Sequence, residues 1–229
     1  DNRTNLTKLS ILHEDDDLIV LNKKSGLATH GGSGISQGAI ELIRQDRPKS
    51  KFLELAHRLD KDTSGCLMIA KKRSVLLALQ KAMITKSISK TYELLVKERW
   101  PASRKRISAP LLKNQLKSGQ RVVVVDPKGK HSVTDFQILR LFNSNTLLKA
   151  FIITGRTHQI RVHCQSVRQP IAGDQRYGDK EYNAQLRLLG LRRLFLHASS
   201  LSFNHPITGK FFTVKAPLPR TLQKVLDRL

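Results

Sequence analysis

The chain has little of what staples a small fold or binds a metal. It holds two cysteines in 229 residues, Cys66 and Cys164. Two thiols in apolar or helical surroundings supply no disulfide framework and read as buried thiols in a reducing compartment. There is no CxxC and no HExxH, and His158 and His163 are five apart, so the eight histidines form no zinc pattern and no metal is expected. Ser64 lies in Thr-Ser-Gly, not in a GxSxG elbow, which argues against a serine hydrolase. No apolar run is long enough to cross a bilayer, and nothing at the start reads as a signal peptide. Internal repeats, linkers and low-complexity segments are also missing. Residue 1 is Asp, which suggests a piece of a longer chain.

Acidic residues are scarce as well. There are 18 Asp plus Glu against 41 Lys plus Arg, a formal charge of +23. Such an excess costs self-repulsion and points to a polyanionic partner. The acids that exist are clustered, with Glu14, Asp15, Asp16 and Asp17 in one turn, whereas from Arg187 onward Asp227 is the only one. Nucleic acid is the natural partner. An anionic membrane ranks lower, because no amphipathic anchor is present. The length allows one large domain or two small ones. One continuous domain over 1–229 is the simplest reading, with two lobes as the variant.

Apolar runs at 10–13 and 18–22 flank the acidic turn and predict a hairpin. The segment 30–34 is glycine-rich but fits neither the dinucleotide nor the P-loop pattern, so it reads as a turn ahead of a loop lining a polyanion cleft. Helical spacing is found over 36–45, with Ser36 as N-cap, and over 74–85, where Val75, Leu76, Leu79, Ala82 and Met83 form a core-facing stripe. Strands are predicted at 52–56, 66–70, 88–96, 106–112, 121–125, 132–142, 147–153, 194–203 and 211–215, with a turn at 126–129. The two short runs at 52–56 and 66–70 leave buried helix open as well. Further helices are expected over 157–167, 183–191 and 221–229, and a polar loop over 170–178. This order predicts a large antiparallel or mixed sheet, not βαβ repeats.

Two stretches carry dense polar chemistry. HRLDKDTSG (57–65) holds an imidazole, a guanidinium, two carboxylates and two hydroxyls between two apolar runs. A polar loop fixed between buried strands suits a reactive side chain. Asp60 and Asp62 are too close in sequence to flank a sugar from opposite sides, so one working acid is expected, with Asp62 as a turn residue. Taken alone, Arg58 and Asp60 would be a structural ion pair. GRTHQIRVH (155–163) is the second stretch. If helical, it sets Thr157 and Arg161 on one face, and a basic side chain there could keep a distant carboxylate ionised. Otherwise it is a solvent-facing basic helix touching phosphate.

With these segments in view, the chain resembles the RluA/RluC/RluD family of RNA pseudouridine synthases. HRLDKDTSG (57–65) resembles the family's catalytic motif and ILHEDDDLIVLNKKSGLATHGG (11–32) its first motif. SKTYELLV (89–96) resembles its tyrosine strand. TGRTHQIRVH (154–163) with PIAGDQRYG (170–178) resembles a later motif, and RLFLHASSLSF (193–203) the closing strand. Five motifs in order cover nearly the whole chain. The basic, hairpin-rich middle is most similar to the RluC branch. Lys24 stands where a proline is usual and Cys66 where an aliphatic residue is common, both local changes.

The resemblance implies an α+β fold, a mixed and mostly antiparallel sheet flanked by helices and loops around a central active-site cleft. It implies a cytoplasmic, bacterial, monomeric isomerase that converts uridine to pseudouridine in 23S ribosomal RNA, with no cofactor and no metal. Relatives often carry a small RNA-binding domain upstream. Carried over, Asp60 is the catalytic carboxylate, attacking the anomeric carbon or taking the adjacent sugar proton; the sequence leaves both open. Tyr92 stacks on the uracil and helps remove the carbon-5 proton, and Arg161 pairs with Asp60. Leu196 packs under the base and Arg58 fills the gap in the RNA stack. His57, Lys23 and Arg156 complete the expected RNA contacts. Two other classes compete: a basic RNA-binding or ribosome-assembly module without chemistry, and a nucleoside hydrolase. The module needs no Asp60, Tyr92 and Arg161 together, and the hydrolase needs a second placed carboxylate that the sequence does not offer.

Overall fold

The computed structural model describes residues 8–229 apart from Ser33 and Ser36. In chain order the elements are β1 (Ile11–Glu14), β2 (Leu18–Lys23), α1 (Ala39–Asp46), β3 (Glu54–Leu55), β4 (Ser64–Ala70), α2 (Arg73–Ile84) and β5 (Ser89–Lys97). Next come β6 (Arg106–Ser108), β7 (Leu111–Gln115), β8 (Arg121–Val125), β9 (Val133–Leu141) and β10 (Asn145–Ile152). The chain ends with α3 (Gln159–Ser166), α4 (Lys180–Leu188), β11 (Leu196–Asn204), β12 (Phe211–Lys215) and α5 (Arg220–Leu226). The architecture is mixed α and β with mostly antiparallel strand pairs, as expected. The chain forms two compact units interleaved in sequence: Asp1–Lys90 with His197–Pro217, and Thr91–Leu196 with Leu218–Leu229.

In the first unit β1 and β2 form the expected antiparallel hairpin, and β2 runs antiparallel to β4 from Leu18↔Ala70 to Lys23↔Gly65. β4 also pairs in parallel with β11, which pairs antiparallel with β12. Every residue of β4 is buried, which explains why its sequence reads as a continuous apolar run and not an alternation. Its alternate residues Cys66, Met68 and Ala70 pack with Val75 and Leu79 of α2 and with Leu201, Phe203 and Val214. At 12 residues α2 is too short to be stable alone in water. Its apolar stripe holds it: Val75 and Leu79 are buried, and Leu76, Ala82 and Met83 lie partly buried against the same core. The run at 52–56 contributes only the two residues of β3.

Ser36, read as the cap of α1, lies outside the described residues. Gly38 occupies the cap position, and Glu41 accepts the backbone N–H of Gly38 at 2.9 Å and of Gly31 at 2.7 Å. One carboxylate therefore fixes the glycine-rich turn to the first turn of the helix.

In the second unit β5 pairs antiparallel with β10, β10 with β9, and β9 with β6. β7 and β8 form a separate hairpin. The strand predicted over 106–112 is thus two strands with different partners. Pro110 lies at the break and has no N–H to give a ladder. α3 begins at Gln159, not at residue 157, because His158 takes a left-handed conformation at φ 54°. Thr157 and Arg161 therefore do not share a helix face. Gln159 Nε2 donates to the Val133 carbonyl and to Thr134 Oγ1, and His163 bonds Thr134 and the Ala109 carbonyl, which locks α3 onto β9.

Candidate active site

The loop 57–63 enters β4 under a set of bonds that fall on its backbone. Thr29 Oγ1 donates to the Leu59 carbonyl at 2.6 Å and accepts the Leu59 N–H at 3.2 Å. The Lys61 carbonyl receives Lys23 Nζ at 2.9 Å and the Gly26 N–H at 2.9 Å. Ser25 Oγ donates to the Asp62 carbonyl at 2.7 Å, and the Thr63 N–H closes a turn on the Asp60 carbonyl at 3.1 Å. Asp60 is thereby held from the residue before it and the two after it. Ser64 Oγ bonds His197 Nδ1 at 2.8 Å where β4 meets β11. Gly65 follows at φ +110°, and a Cβ there would lie 2.1 Å from the Ala198 carbonyl oxygen, so only glycine lets the two strands meet.

Two residues expected to touch RNA have other partners. Lys23 is 2% exposed, and its ammonium donates to the carbonyls of Lys24, Leu27 and Lys61 at 3.1, 2.7 and 2.9 Å. An ammonium has three protons, and three carbonyls take them. This differs from the expected RNA contact: Lys23 is a buried pin under the Asp60 loop. His57 Nε2 accepts the Met68 N–H at 3.0 Å, while its Nδ1 is buried with no hydrogen-bond partner. Burial, with the nearby charge of Lys90, pushes the imidazole down to about 3, so it is neutral at pH 7. A neutral imidazole whose nitrogens face the interior cannot attract phosphate, so the expected contact gives way to an anchor on β4. Arg58 beside it is exposed and makes no hydrogen bond or ion pair to the described residues.

In the second unit Tyr92 is 7% exposed in β5, opposite Ala150 of β10. Leu196 is 3% exposed at the start of β11. Arg161 is 7% exposed on α3, and within its own unit it meets Asp174, Nε to Oδ2 at 2.8 Å and NH2 to Oδ1 at 2.9 Å. Burial raises the Asp174 carboxyl, but the Arg161 bonds and charge, with the N–H groups of Tyr177 and Arg176, outweigh it and hold the group below the usual carboxylate range. The guanidinium also lies 5.1 Å from the centroid of the Tyr177 ring. Tyr177 Oη accepts the Val123 N–H at 3.0 Å and bonds His158 Nδ1 at 2.7 Å. Arg156 is exposed, with Nε donating to the His131 carbonyl at 3.2 Å.

Three positioning residues escaped the sequence reading. Asp174 sits inside PIAGDQRYG, but its pairing spans 13 residues of loop and helix and has no local signature. Thr29 and Asn183 are the others. Asn183 Oδ1 accepts the Gly173 N–H and its Nδ2 donates to the Asp174 carbonyl, both at 2.9 Å, so it sets the backbone on which the Arg161 partner stands. A hydroxyl or amide that pins a neighbour's backbone is visible only in three dimensions.

Among the described residues, Asp15, Asp17 and His205 bring ligand-type atoms within 4.8 Å of one another. Their lone pairs are already engaged. Asp15 Oδ1 accepts two backbone N–H groups and Oδ2 bonds His13 and His205, while Lys72 Nζ stands 2.7 Å from Asp17 Oδ1. Burial would raise the Asp15 carboxyl, but these bonds bring it down to about 2. The cluster reads as a cross-link from the β1–β2 turn to His205, with an ammonium where a metal would need a carboxylate.

Comparison with known proteins places the chain in a family. A family model described as RNA pseudouridylate synthase matches residues 17–166. The chain is 50% identical over 228 residues to the ribosomal large subunit pseudouridine synthase C of Pasteurella multocida strain Pm70, covering all of this chain and 70% of that one. It is 54% identical over 216 residues to the protein of the same name from Yersinia pestis, covering 94% and 68%. Among solved structures, human RNA pseudouridylate synthase domain containing 4 superimposes with a TM-score of 0.77 at 28% identity, covering 99% of this chain and 94% of that one. With the clamped aspartate loop and the tyrosine strand in place, the chain belongs to the RNA pseudouridylate synthase family.

Proposed function

We propose that this chain isomerises uridine to pseudouridine in the large-subunit ribosomal RNA of a bacterium, with Asp60 as the group that opens the reaction at the sugar. The observation that carries this is the clamp on the Asp60 loop. Thr29, Lys23, Gly26 and Ser25 hold backbone groups of Leu59, Lys61 and Asp62, which sets the aspartate for one geometry. Two first steps suit such a carboxylate: attack on the anomeric carbon, or removal of the adjacent sugar proton. In both, the bond from N1 to C1′ breaks and its electron pair leaves with the uracil. The base turns and C5 bonds to C1′, displacing the Asp60 carboxylate in the first route or with the sugar proton returned from Asp60 in the second; the C5 proton departs and N1 regains one. Atoms and electrons balance with no oxidant or reductant, so the chemistry calls for no redox cofactor.

The remaining residues take roles around that change. The target base must first leave its stack, at a cost of a few kcal/mol. Tyr92 returns about 1–3 kcal/mol by stacking on the uracil, and its hydroxyl helps remove the C5 proton. Leu196 packs under the base, and Arg161, oriented by Asp174, supports the developing negative charge. Arg58, exposed and unbonded to the described residues, fills the gap in the RNA stack, and Arg156 meets phosphate. Lys23 and His57 act from beneath, as anchors of the loop. The relatives' names supply the large-subunit substrate. The +23 charge supports a polyanion partner, and no helix of the described residues is long and apolar enough to cross a membrane. On this reading the span 1–229 is a monomeric, cytoplasmic catalytic domain.

The test is a complementation map. Pseudouridine is mapped in ribosomal RNA from cells lacking this protein, then after rescue with the parent or with Asp60→Asn. The parent should restore a defined set of sites and Asp60→Asn none, while both bind RNA within about threefold. Restoration by Asp60→Asn would remove the carboxylate from the chemistry and leave a basic RNA-binding module as the better reading.

A further inference from the structure

The second unit holds a cavity of about 220 Å³ lined by Gly173, Gln175, Asn183, Arg187, Leu191, Arg192 and Arg193. That is room for several waters, or for one phosphate group with part of its shell. Three of the seven lining residues are arginines and none is an acid. The side chains of Arg187 and Arg192 are exposed and make no hydrogen bond or ion pair to the described residues. Arg193 is held in place, Nε donating to the Leu194 carbonyl at 2.9 Å and NH2 to the Leu196 carbonyl at 3.2 Å.

A bland account covers only part of this. Arg187 lies in the last turn of α4, where a cation is favoured by the helix dipole. That does not explain Arg192 and Arg193 facing the same cavity. Three guanidiniums around one cavity repel each other, and an anion seated there turns the repulsion into attraction. Guanidinium forks also match phosphate oxygens in pairs. The cavity wall bears on the chemistry too. Asn183 lines it and fixes Gly173 and the Asp174 carbonyl, and Asp174 orients Arg161.

We propose that the cavity bounded by Arg187, Arg192 and Arg193 seats a phosphodiester group of the RNA substrate. The inference rests on the function proposed above and adds a named phosphate subsite to it. A phosphate there would press on the same Asn183-supported loop that sets Arg161, so chain binding and the orientation of that guanidinium would be linked.

The experiment compares the parent with Arg187→Gln/Arg192→Gln. Arg193 is left alone because it bonds backbone. A control, Arg73→Gln/Lys81→Gln, removes two exposed charges from α2 in the first unit. RNA affinity is measured from 50 to 300 mM salt. On single strands each lost phosphate contact lowers the slope of log affinity against log salt by about 0.7. The pocket variant should lose about 1.4 from the slope and the control much less, while all three melt together. An unchanged slope, or an equal loss in the control, would overturn the proposal. Inorganic phosphate is added in a second arm. If it raises the parent's melting temperature but not the variant's, and the RNA slopes coincide, the cavity takes free phosphate and the RNA assignment fails. A parent that binds RNA yet restores no pseudouridine would fail the functional reading instead, so the two failures are separable.

Discussion

Each unit of this protein carries an aspartate on a tightly bonded loop, and the bonds fall in different places. Around Asp60 they fall on the backbone of its neighbours: Thr29 on Leu59, Lys23 and Gly26 on Lys61, Ser25 on Asp62. Around Asp174 they fall on the carboxylate, which takes two bonds from Arg161 and two more from the N–H groups of Arg176 and Tyr177. Both loops also use a glycine at positive φ pressed on a strand or loop carbonyl, Gly65 against Ala198 and Gly173 against Arg193. The scaffolds are alike; what differs is where these clamping groups bear, on the flanking backbone at Asp60 and on the carboxylate at Asp174. A carboxylate that takes four short bonds within its own unit is part of the structure, and pinning the backbone on both sides of an acid fixes where that acid is presented.

The sharpest way to break that comparison is to neutralise each acid in turn. Asp60→Asn should cut pseudouridine formation on the order of 10⁴-fold, as loss of a reacting group does. Its denaturant midpoint should move less than that of Asp174→Asn, since the bonds from Thr29, Lys23, Gly26 and Ser25 fall on backbone that the substitution keeps. Asp174→Asn takes the charge from the carboxylate that buried Arg161 meets with two bonds, which costs about 3–5 kcal/mol in unfolding free energy. Turnover should fall with it, because the guanidinium loses its orientation. If Asp60→Asn instead destabilises as much as Asp174→Asn, the first acid is structural too and the distinction is lost.

The next largest effect is expected at Thr29. Thr29→Val keeps the shape and removes a buried hydroxyl that both donates to and accepts from Leu59. The Leu59 carbonyl and N–H are then left short of a partner, at about 1–3 kcal/mol. A looser Asp60 should lower kcat roughly tenfold with KM nearly unchanged, and Thr29→Ser should rescue it. Loss in KM alone would place Thr29 with RNA binding and not with the geometry of the acid.

How much of this was legible in the sequence follows the same division. Covalent neighbours could be read directly. The hairpin, the buried run of β4, the α2 stripe and HRLDKDTSG as a loop between strands all came from local pattern. What is held across space could not. The Arg161–Asp174 pair joins a helix to a loop, and Lys23, which reads as one more cation in a basic chain, is buried under three carbonyls. Composition suggests phosphate for every lysine, and only the fold says which ones it has already spent. One error did have a signal. Pro110 marks the break between β6 and β7, and the strand pattern overrode it. His158, in contrast, gave no warning that its left-handed backbone would delay α3, because the type is only mildly favoured there.

Acid separates the two loops as well. His57 lies at about 3 in the folded state against its ordinary 6.5, pushed down first by burial and then by the charge of Lys90. The unfolded chain therefore binds a proton that the folded one refuses, and stability falls as pH drops from about 6.5 toward 3, by at most about 1.4 kcal/mol per pH unit for one proton. Asp174 lies below the usual carboxylate range, so its contribution is whole above about pH 4 and is lost only as pH falls through the lowered value. The loops should fail in sequence, the Asp60 side first. Amide exchange reads this residue by residue. The Met68 N–H, donated to His57 Nε2, should lose protection well before the Tyr177 N–H, donated to Asp174 Oδ1, as pH is lowered. His57→Gln should flatten stability between pH 6.5 and 4 and leave the steeper loss below. Simultaneous loss of both amides at one pH would mean that the two acids are held by one cooperative structure, and the contrast drawn from their bonds would not reach their energetics.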